Sequence, residues 1–395
     1  MRLHAQHRGS GSQPDADPVA MPIPEIADAV VIGAGPAGLA TAAALKHAGL
    51  HAVVLDKADR VGSSWSKHYD RLHLHTVRQL SGLPGMPIPR KYGTWVARDD
   101  VLHYLSDYAA DLDVRLGVTA NAVRHDSTWH VDTDQGTISA PVLVVATGYN
   151  HTAKVPDLPG LSSYKGKVVH SSEYRNPADL GGPTVLVVGP GNSGAEIAAD
   201  LAESGADVSL AMRTAPNIVR RAVAGIPSQY LVMSIAMLPL KARDAISSFV
   251  QRISVGDLSK YGIPKAPRGI VTQQLRDDVT PTIDVGLLAA LRKGTVQVVP
   301  GVTGFTKDAV LLADGTSVSP DAVVLATGFS RGLEGLVGSL GVLSGAKGRP
   351  VINADEQLER YPGLYFIGYS NPLEGNLRQL SIDAKKIARK VASGR

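Results

Sequence analysis

Two glycine triplets carry the first chemistry that can be read. Gly33-Ala34-Gly35-Pro36-Ala37-Gly38 and Gly189-Pro190-Gly191-Asn192-Ser193-Gly194 share the spacing GxGxxG, which alone is a weak signal. Each follows an apolar run and opens an alanine-rich stretch, and that strand, turn and helix context is the one in which the pattern binds a dinucleotide. The first glycine permits a tight bend, the second lets the backbone approach a pyrophosphate, and the third lets helix and strand pack closely. The helix N-terminus then faces the anion.

The residue closing the second strand of each unit differs in charge. Asp56, followed by Lys57, can accept hydrogen bonds from a ribose with free hydroxyls and would repel a 2′-phosphate. The counterpart strand ends Ala211-Met212-Arg213, and a guanidinium there can pair with a 2′-phosphate through forked, charge-assisted hydrogen bonds. A solvated surface charge is the alternative reading of Arg213. Opposite polarities imply two different dinucleotides, with FAD in the first unit and NADPH in the second. A permanently held flavin needs only ribose recognition, whereas a diffusing reductant is selected by its phosphate.

These turns need sheets to hold them, and 395 residues suit two domains of ordinary size. The expected fold class is α/β, with two Rossmann-like dinucleotide-binding domains, the FAD domain split in sequence and the NADPH domain inserted. The expected boundaries are a disordered tail over 1–25, FAD-binding parts over 26–155 and 321–395, and the NADPH-binding domain over 156–320. "VLVVATGYN" (Val142 to Asn150) and "DAVVLATGFS" (Asp321 to Ser330) are near-copies, read as strands that carry the chain between domains. "LYFIGYS" is a further buried strand, and Ala146 and Gly368 join the expected FAD-binding residues. The helix pattern "QLSIDAKKIARKVAS" follows, and its N-terminus can set a positive end on the flavin's electron-rich edge.

Composition removes several classes. The chain has no cysteine, which excludes disulfides, thiolate metal sites and dithiol redox chemistry, and so closes the disulfide reductase option. Its 40 Lys+Arg and 36 Asp+Glu are spread along the chain, without the basic stripe a nucleic-acid partner requires. The first 25 residues lack the apolar core of a secretory signal, and Met21 is a second candidate start. The run "YLVMSIAMLPL" (Tyr230 to Leu240) is broken by Pro239 and too short to cross a bilayer. It reads as a buried or amphipathic core helix, with a substrate-access or membrane-resting helix as the alternative. No transmembrane segment, no metal site and a cytoplasmic location are therefore expected. The oligomeric state is left open, a homodimer among the options.

Between the two turns stands Tyr164-x-Gly166-xxx-His170-xxx-Tyr174. With "SSWSKHYDRLHLHT", "VVGPGNSGAEIAADL", "KYGIPKAPRG" and "DAVVLATGF" in the same order, it makes the sequence resemble the class B flavin-containing monooxygenases, and most of all the plant YUCCA-type enzymes. That family's signature begins with Phe where this chain has Tyr164, another aromatic. The resemblance implies that Trp65, Arg71, Leu72, His75 and Thr76 line the flavin. His75 is the catalytic candidate, as a hydrogen-bonding partner of the flavin or its peroxide, with core packing as the alternative. His170 is not taken as catalytic; it either helps hold the NADP cofactor or is a linker histidine satisfied by the backbone.

The activity so implied is an FAD- and NADPH-dependent monooxygenase working through a C4a-(hydro)peroxyflavin, with dioxygen and a small molecule as substrates. An aryl 2-oxo acid such as indole-3-pyruvate, oxidatively decarboxylated, is the first expectation; N- or S-oxygenation of a soft nucleophile is the second. A reductase passing electrons to a partner protein and a nucleotide-binding module without turnover are the readings outside that class. The segment 222–267 is expected to shape the substrate pocket, with no residue in it singled out.

Overall fold

The computed structural model describes residues 24–345 and 347–394, so that 1–23, most of the expected tail, lie outside it. Four buried apolar residues form β1 (Ala29–Ile32), which turns at Gly33 into α1 (Pro36–His47). Proline suits the first helical turn because the amide it lacks has no intrahelical partner there. Alanines make α1 thin enough to lie against the sheet. The chain continues through β2 (Ala52–Asp56), α2 (Arg98–Ala109) and β3 (Asp113–Leu116), then a three-stranded antiparallel sheet over 120–140, and β4 (Val142–Val145).

The chain crosses to the second unit at β5 (Thr152–Ala153) and forms β6 (Lys167–His170) and β7 (Thr184–Val188). Next come α3 (Asn192–Glu203), β8 (Asp207–Met212), β9 (Ile218–Arg220), α4 (Ser228–Ser234), α5 (Leu240–Ser254) and α6 (Ile270–Asp277). Then follow β10 (Thr282–Asp284), α7 (Leu287–Lys293), β11 (Val296–Pro300) and β12 (Ala322–Leu325). The chain returns through β13 (Phe329–Ser330) to β14 (Leu364–Phe366) and α8 (Asn376–Ser393).

Among the described residues two five-stranded parallel sheets dominate, ordered β14-β4-β1-β2-β3 and β11-β8-β7-β12-β6. Strands buried on both faces read as continuous apolar runs, which is why AVVI, VLVV and AVVL carry no alternation. The two orders correspond strand for strand, with β6 in the place that β14 takes in the first sheet. Helix α8 covers the first sheet beside α1: Leu377, Leu380, Ala384, Ile387 and Val391 share a buried cluster with Ala40, Ala44 and Leu45. Each such leucine or isoleucine contributes about 1.5–3 kcal/mol by leaving water.

Two expectations are corrected. β12 does not begin the second FAD-binding part; it pairs with β7 (Val185↔Ala322) and with β6 (Leu325↔His170), so the inserted unit runs past 320 to the return at β13. The likeness of β4 and β12 arises because each is the same strand of its own sheet, and the actual crossings are β5 and β13, paired antiparallel (Phe329↔Ala153). The run Tyr230 to Leu240 is not one buried helix. α4 stops at Ser234, Met237 is 96% exposed, and Pro239 precedes the start of α5. No helix among the described residues is long and apolar enough to cross a membrane.

Candidate active site

At the first turn Gly33 has φ +114°, and a Cβ there would overlap the Ala146 carbonyl; a Cβ on Gly38 would overlap the Gly33 carbonyl. Gly35 has an ordinary φ of −82°, and no atom lies within 4 Å of where its Cβ would stand. It also caps α1 without any side-chain hydrogen bond, leaving the first-turn amides bare. The second turn repeats this: Gly189 (φ +112°) meets the Ala326 carbonyl, Gly194 meets Gly189, and Gly191 opens onto free space before an uncapped α3. Two glycines per turn are thus demanded by the fold and one is not. The middle one, Gly35 or Gly191, leaves a cradle over a positive helix end that a Cβ would fill, and the residues present fit a pyrophosphate in both places.

A cavity of about 950 Å³ runs between the two units. Gly33, Gly35, Pro36, Ala37, Asp56 and Lys57 line it on one side, and Trp65, Leu72, His75, Thr76, Ala146 and Gly368 lie further along. Asn192 reaches it from the start of α3, held by Ile283 N–H donating to its Oδ1 at 2.7 Å. Asp56 accepts from the amides of Ala34 (2.6 Å) and Ala58 (2.9 Å), which fixes the carboxylate at the strand end. Gly375, Asn376 and Leu377 bring the bare N-terminus of α8 to the same cavity, and Asn376 Oδ1 is buried there without a hydrogen-bond partner. A helix end and an orphaned amide oxygen at one wall fit a polar, electron-rich ring such as a flavin's pyrimidine edge.

Other expected residues stand elsewhere. Arg71 does not line the cavity; its guanidinium is taken by Asp200 (3.3 Å) and Glu203 (3.0 Å) of α3, tying the first unit to the second. Gly38, Gly189, Gly191, Ser193 and Gly194 also lie outside the lining, as parts of the turns themselves. Arg213 is exposed directly after β8 and makes no ion pair among the described residues. His170 is buried at the end of β6, edge-on to Phe329, with Nε2 donating to the Gly328 carbonyl (3.1 Å) and Nδ1 facing the Ser172 hydroxyl (2.9 Å). Burial pushes its pKa down, so it stands neutral with both nitrogens engaged.

Sequence reasoning missed Glu196. It is 1% exposed on α3, and its Oε1 accepts a very short hydrogen bond from His75 Nε2. The inserted unit therefore grips the catalytic candidate of the other unit. Beside it the buried Tyr69 has its hydroxyl pushed well above the usual tyrosine range by burial and by the Glu196 charge. Little in the sequence warned of it, because Glu196, Asp200 and Glu203 share one face of α3 at helical spacing and read as a solvated stripe. His68, also lining the cavity, is pulled down to about 4 by burial, with Arg175 and Arg98 adding to it. No group of residues that could hold a metal ion is present among the described residues.

The pyridine nucleotide-disulphide oxidoreductase family matches residues 30–225. The probable indole-3-pyruvate monooxygenase YUCCA3 of Arabidopsis thaliana is 34% identical over 72% of this chain and 69% of its own. The indole-3-pyruvate monooxygenase YUCCA1 of Oryza sativa subsp. japonica is 32% identical over 92% of this chain and 91% of its own. The chain belongs to the YUCCA-type flavin monooxygenases. Among solved structures, the flavin-containing monooxygenase of Stenotrophomonas maltophilia superposes with TM-score 0.73 at 25% identity, covering 94% of this chain and 99% of that one. Cyclohexanone monooxygenase from Rhodococcus sp. Phi1, bound to NADP+, shares the fold with TM-score 0.66 at 21% identity, over 94% and 85%. The protein is an FAD- and NADPH-dependent monooxygenase. The matched family's disulphide chemistry is absent here, because the chain has no cysteine.

Proposed function

We propose that this enzyme oxidatively decarboxylates an aryl 2-oxo acid, with indole-3-pyruvate the first candidate. The balance is one 2-oxo acid, one dioxygen, one NADPH and one proton giving the acid shortened by one carbon, carbon dioxide, NADP+ and water. The observation that carries the reading is the cavity itself: both nucleotide units contribute to it, and its walls mix apolar with polar and charged side chains. Its charged lining is cationic, Lys57, Lys67, Arg220 and Arg221 against Asp56 alone among the described residues. Since the Asp56 oxygens are held by backbone amides, the field inside favours an anion. The rice relative YUCCA1 is an indole-3-pyruvate monooxygenase, and the Arabidopsis YUCCA3 a probable one.

Bound FAD supplies the two-electron acceptor and the oxygen-activating ring. The chain's own residues bind, orient and shelter. The Gly35 turn and the α8 N-terminus offer donors to the dinucleotide, and Trp65 and Leu72 provide apolar wall from which water is excluded. His75, fixed at Nε2 by Glu196, turns its other nitrogen away from that partner, to hold a hydrogen bond at the reacting centre. Arg213 provides the cation that selects the phosphorylated reductant. A need for NADPH fits a cytoplasmic setting.

The test is product analysis with NADPH and oxygen. Indole-3-pyruvate should give indole-3-acetate and carbon dioxide in step with NADPH consumed. An N-oxide or sulfoxide from soft nucleophiles, with the 2-oxo acid untouched, would overturn the proposal.

A further inference from the structure

The cavity's cations are not equivalent. Arg220 is committed, donating from Nε to the Ser254 carbonyl (2.9 Å) and from its guanidinium to Asp284 (3.4 Å). Lys57 stands beside His151 at the strand end that receives the first ribose. Lys67 and Arg221 make no ion pair and no side-chain hydrogen bond among the described residues, but Lys67 is exposed to water whereas Arg221 is partly buried in the cavity wall. Glu196 and Asp284 are near enough to oppose the lowering that burial imposes on its guanidinium, yet neither pairs with it.

Its position is fixed from two sides. The guanidinium carbon lies 4.5 Å from the centre of the Trp95 ring, a cation–π contact that fixes the end of the side chain. The backbone is held by a tight hairpin: Ala222 and Val223 pair with Pro227 and Ile226, and Ser228 N–H donates to the Arg221 carbonyl at 3.0 Å. A cation–π contact takes up none of the guanidinium's N–H donors, which are left for an acceptor. A partly desolvated cation with free donors is unfavourable alone and is relieved by a planar anion that accepts two parallel hydrogen bonds. Val219, Val223, Val232, Val250 and Ile283 supply apolar wall around the same end of the cavity.

We propose that Arg221, held against Trp95, is the subsite that captures the substrate's carboxylate and so makes the enzyme selective for acids over neutral aryl ketones. This rests on the reading of an aryl 2-oxo acid as substrate. The dinucleotide phosphates have their own partners, the Gly35 and Gly191 turns and Arg213, and leave Arg221 to the third ligand.

The experiment uses the FAD-loaded enzyme and its Arg221→Gln, Arg221→Lys and Trp95→Phe variants. Binding of indole-3-pyruvate and of a matched indolyl ketone lacking the carboxylate is followed by isothermal titration calorimetry without NADPH, and KM and kcat are then measured. Arg221→Gln should weaken acid binding by roughly 10- to 100-fold, the loss of a charge-assisted pair, and leave the ketone within about twofold. The KM for the acid should rise by the same factor with the KM for NADPH unchanged. Arg221→Lys should fall between, and Trp95→Phe should weaken acid binding less than Arg221→Gln does. Equal losses for acid and ketone, no loss for either, or a loss confined to NADPH would overturn the assignment. If Arg221→Gln does not retain flavin, Arg221→Lys decides by the same acid-to-ketone ratio. Failure of the wild type to shorten any aryl 2-oxo acid would instead refute the substrate reading.

Discussion

Substituting alanine at Gly33 and at Gly35 separates folding from cofactor binding two residues apart. At Gly33 the new Cβ meets the Ala146 carbonyl on backbone with φ +114°. The left-handed conformation costs about 1–2 kcal/mol and the forced displacement of a neighbouring strand end about 1–3 kcal/mol more. A loss of roughly 2–5 kcal/mol is a large part of the 5–15 kcal/mol that ordinarily holds a protein folded. At Gly35, φ is −82° and the Cβ points into open space, so folding should change by less than about 1 kcal/mol, if anything favourably. That same Cβ occupies the cradle above the bare α1 amides. Loss of one charge-assisted phosphate contact, about 1.5–3 kcal/mol, weakens FAD binding roughly 10- to 100-fold. Denaturant unfolding of the flavin-free protein and titration with FAD, followed by flavin fluorescence, measure the two quantities separately. Wild-type FAD affinity in Gly35→Ala, or equal destabilisation by both substitutions, would refute the division of labour among the three glycines.

Further outcomes follow from the same geometry. Arg213→Ala should raise the KM for NADPH roughly tenfold, a discounted value because the side chain is exposed, and leave NADH unaffected; steady-state kinetics with both reductants checks this. Glu196→Gln should increase the hydrogen peroxide released per NADPH consumed, since His75 loses the charged partner that orients it, while FAD content stays at the wild-type level. His68 titrates near 6.5 when unfolded and about 4 when folded, so the unfolded state binds the extra proton as pH falls. Its contribution is complete above 6.5 and is lost progressively towards 4, about 2 kcal/mol of it by pH 5. His68→Gln should lose correspondingly less stability than wild type between pH 7 and 5 in denaturant titrations.

Much of this architecture was legible because dinucleotide units impose local rules. A glycine with φ beyond +100° under a crossing carbonyl tolerates no other residue, and parallel strands covered on both faces must be apolar throughout. The place of β12 was not legible, since AVVL suits either sheet and only hydrogen-bonded pairing decides between them. The partners of Arg71 were not legible because position within a motif fixes the backbone, not the direction of a long flexible side chain. It turned to the nearest acids, on a helix more than a hundred residues away in sequence. Glu196 and Arg221 share the converse cause: their significance lies in partners, one present and one absent, that no local pattern records.

The paired crossings β5 and β13 govern how the two units can move. One tether would permit swivelling about any axis. Two short strands joined side by side by hydrogen bonds resist shear and torsion and yield only by flexing across their width, as a strip of webbing does. A swing of the inserted unit must bend that narrow ribbon and must also part the Arg71 and His75 contacts that clasp α3.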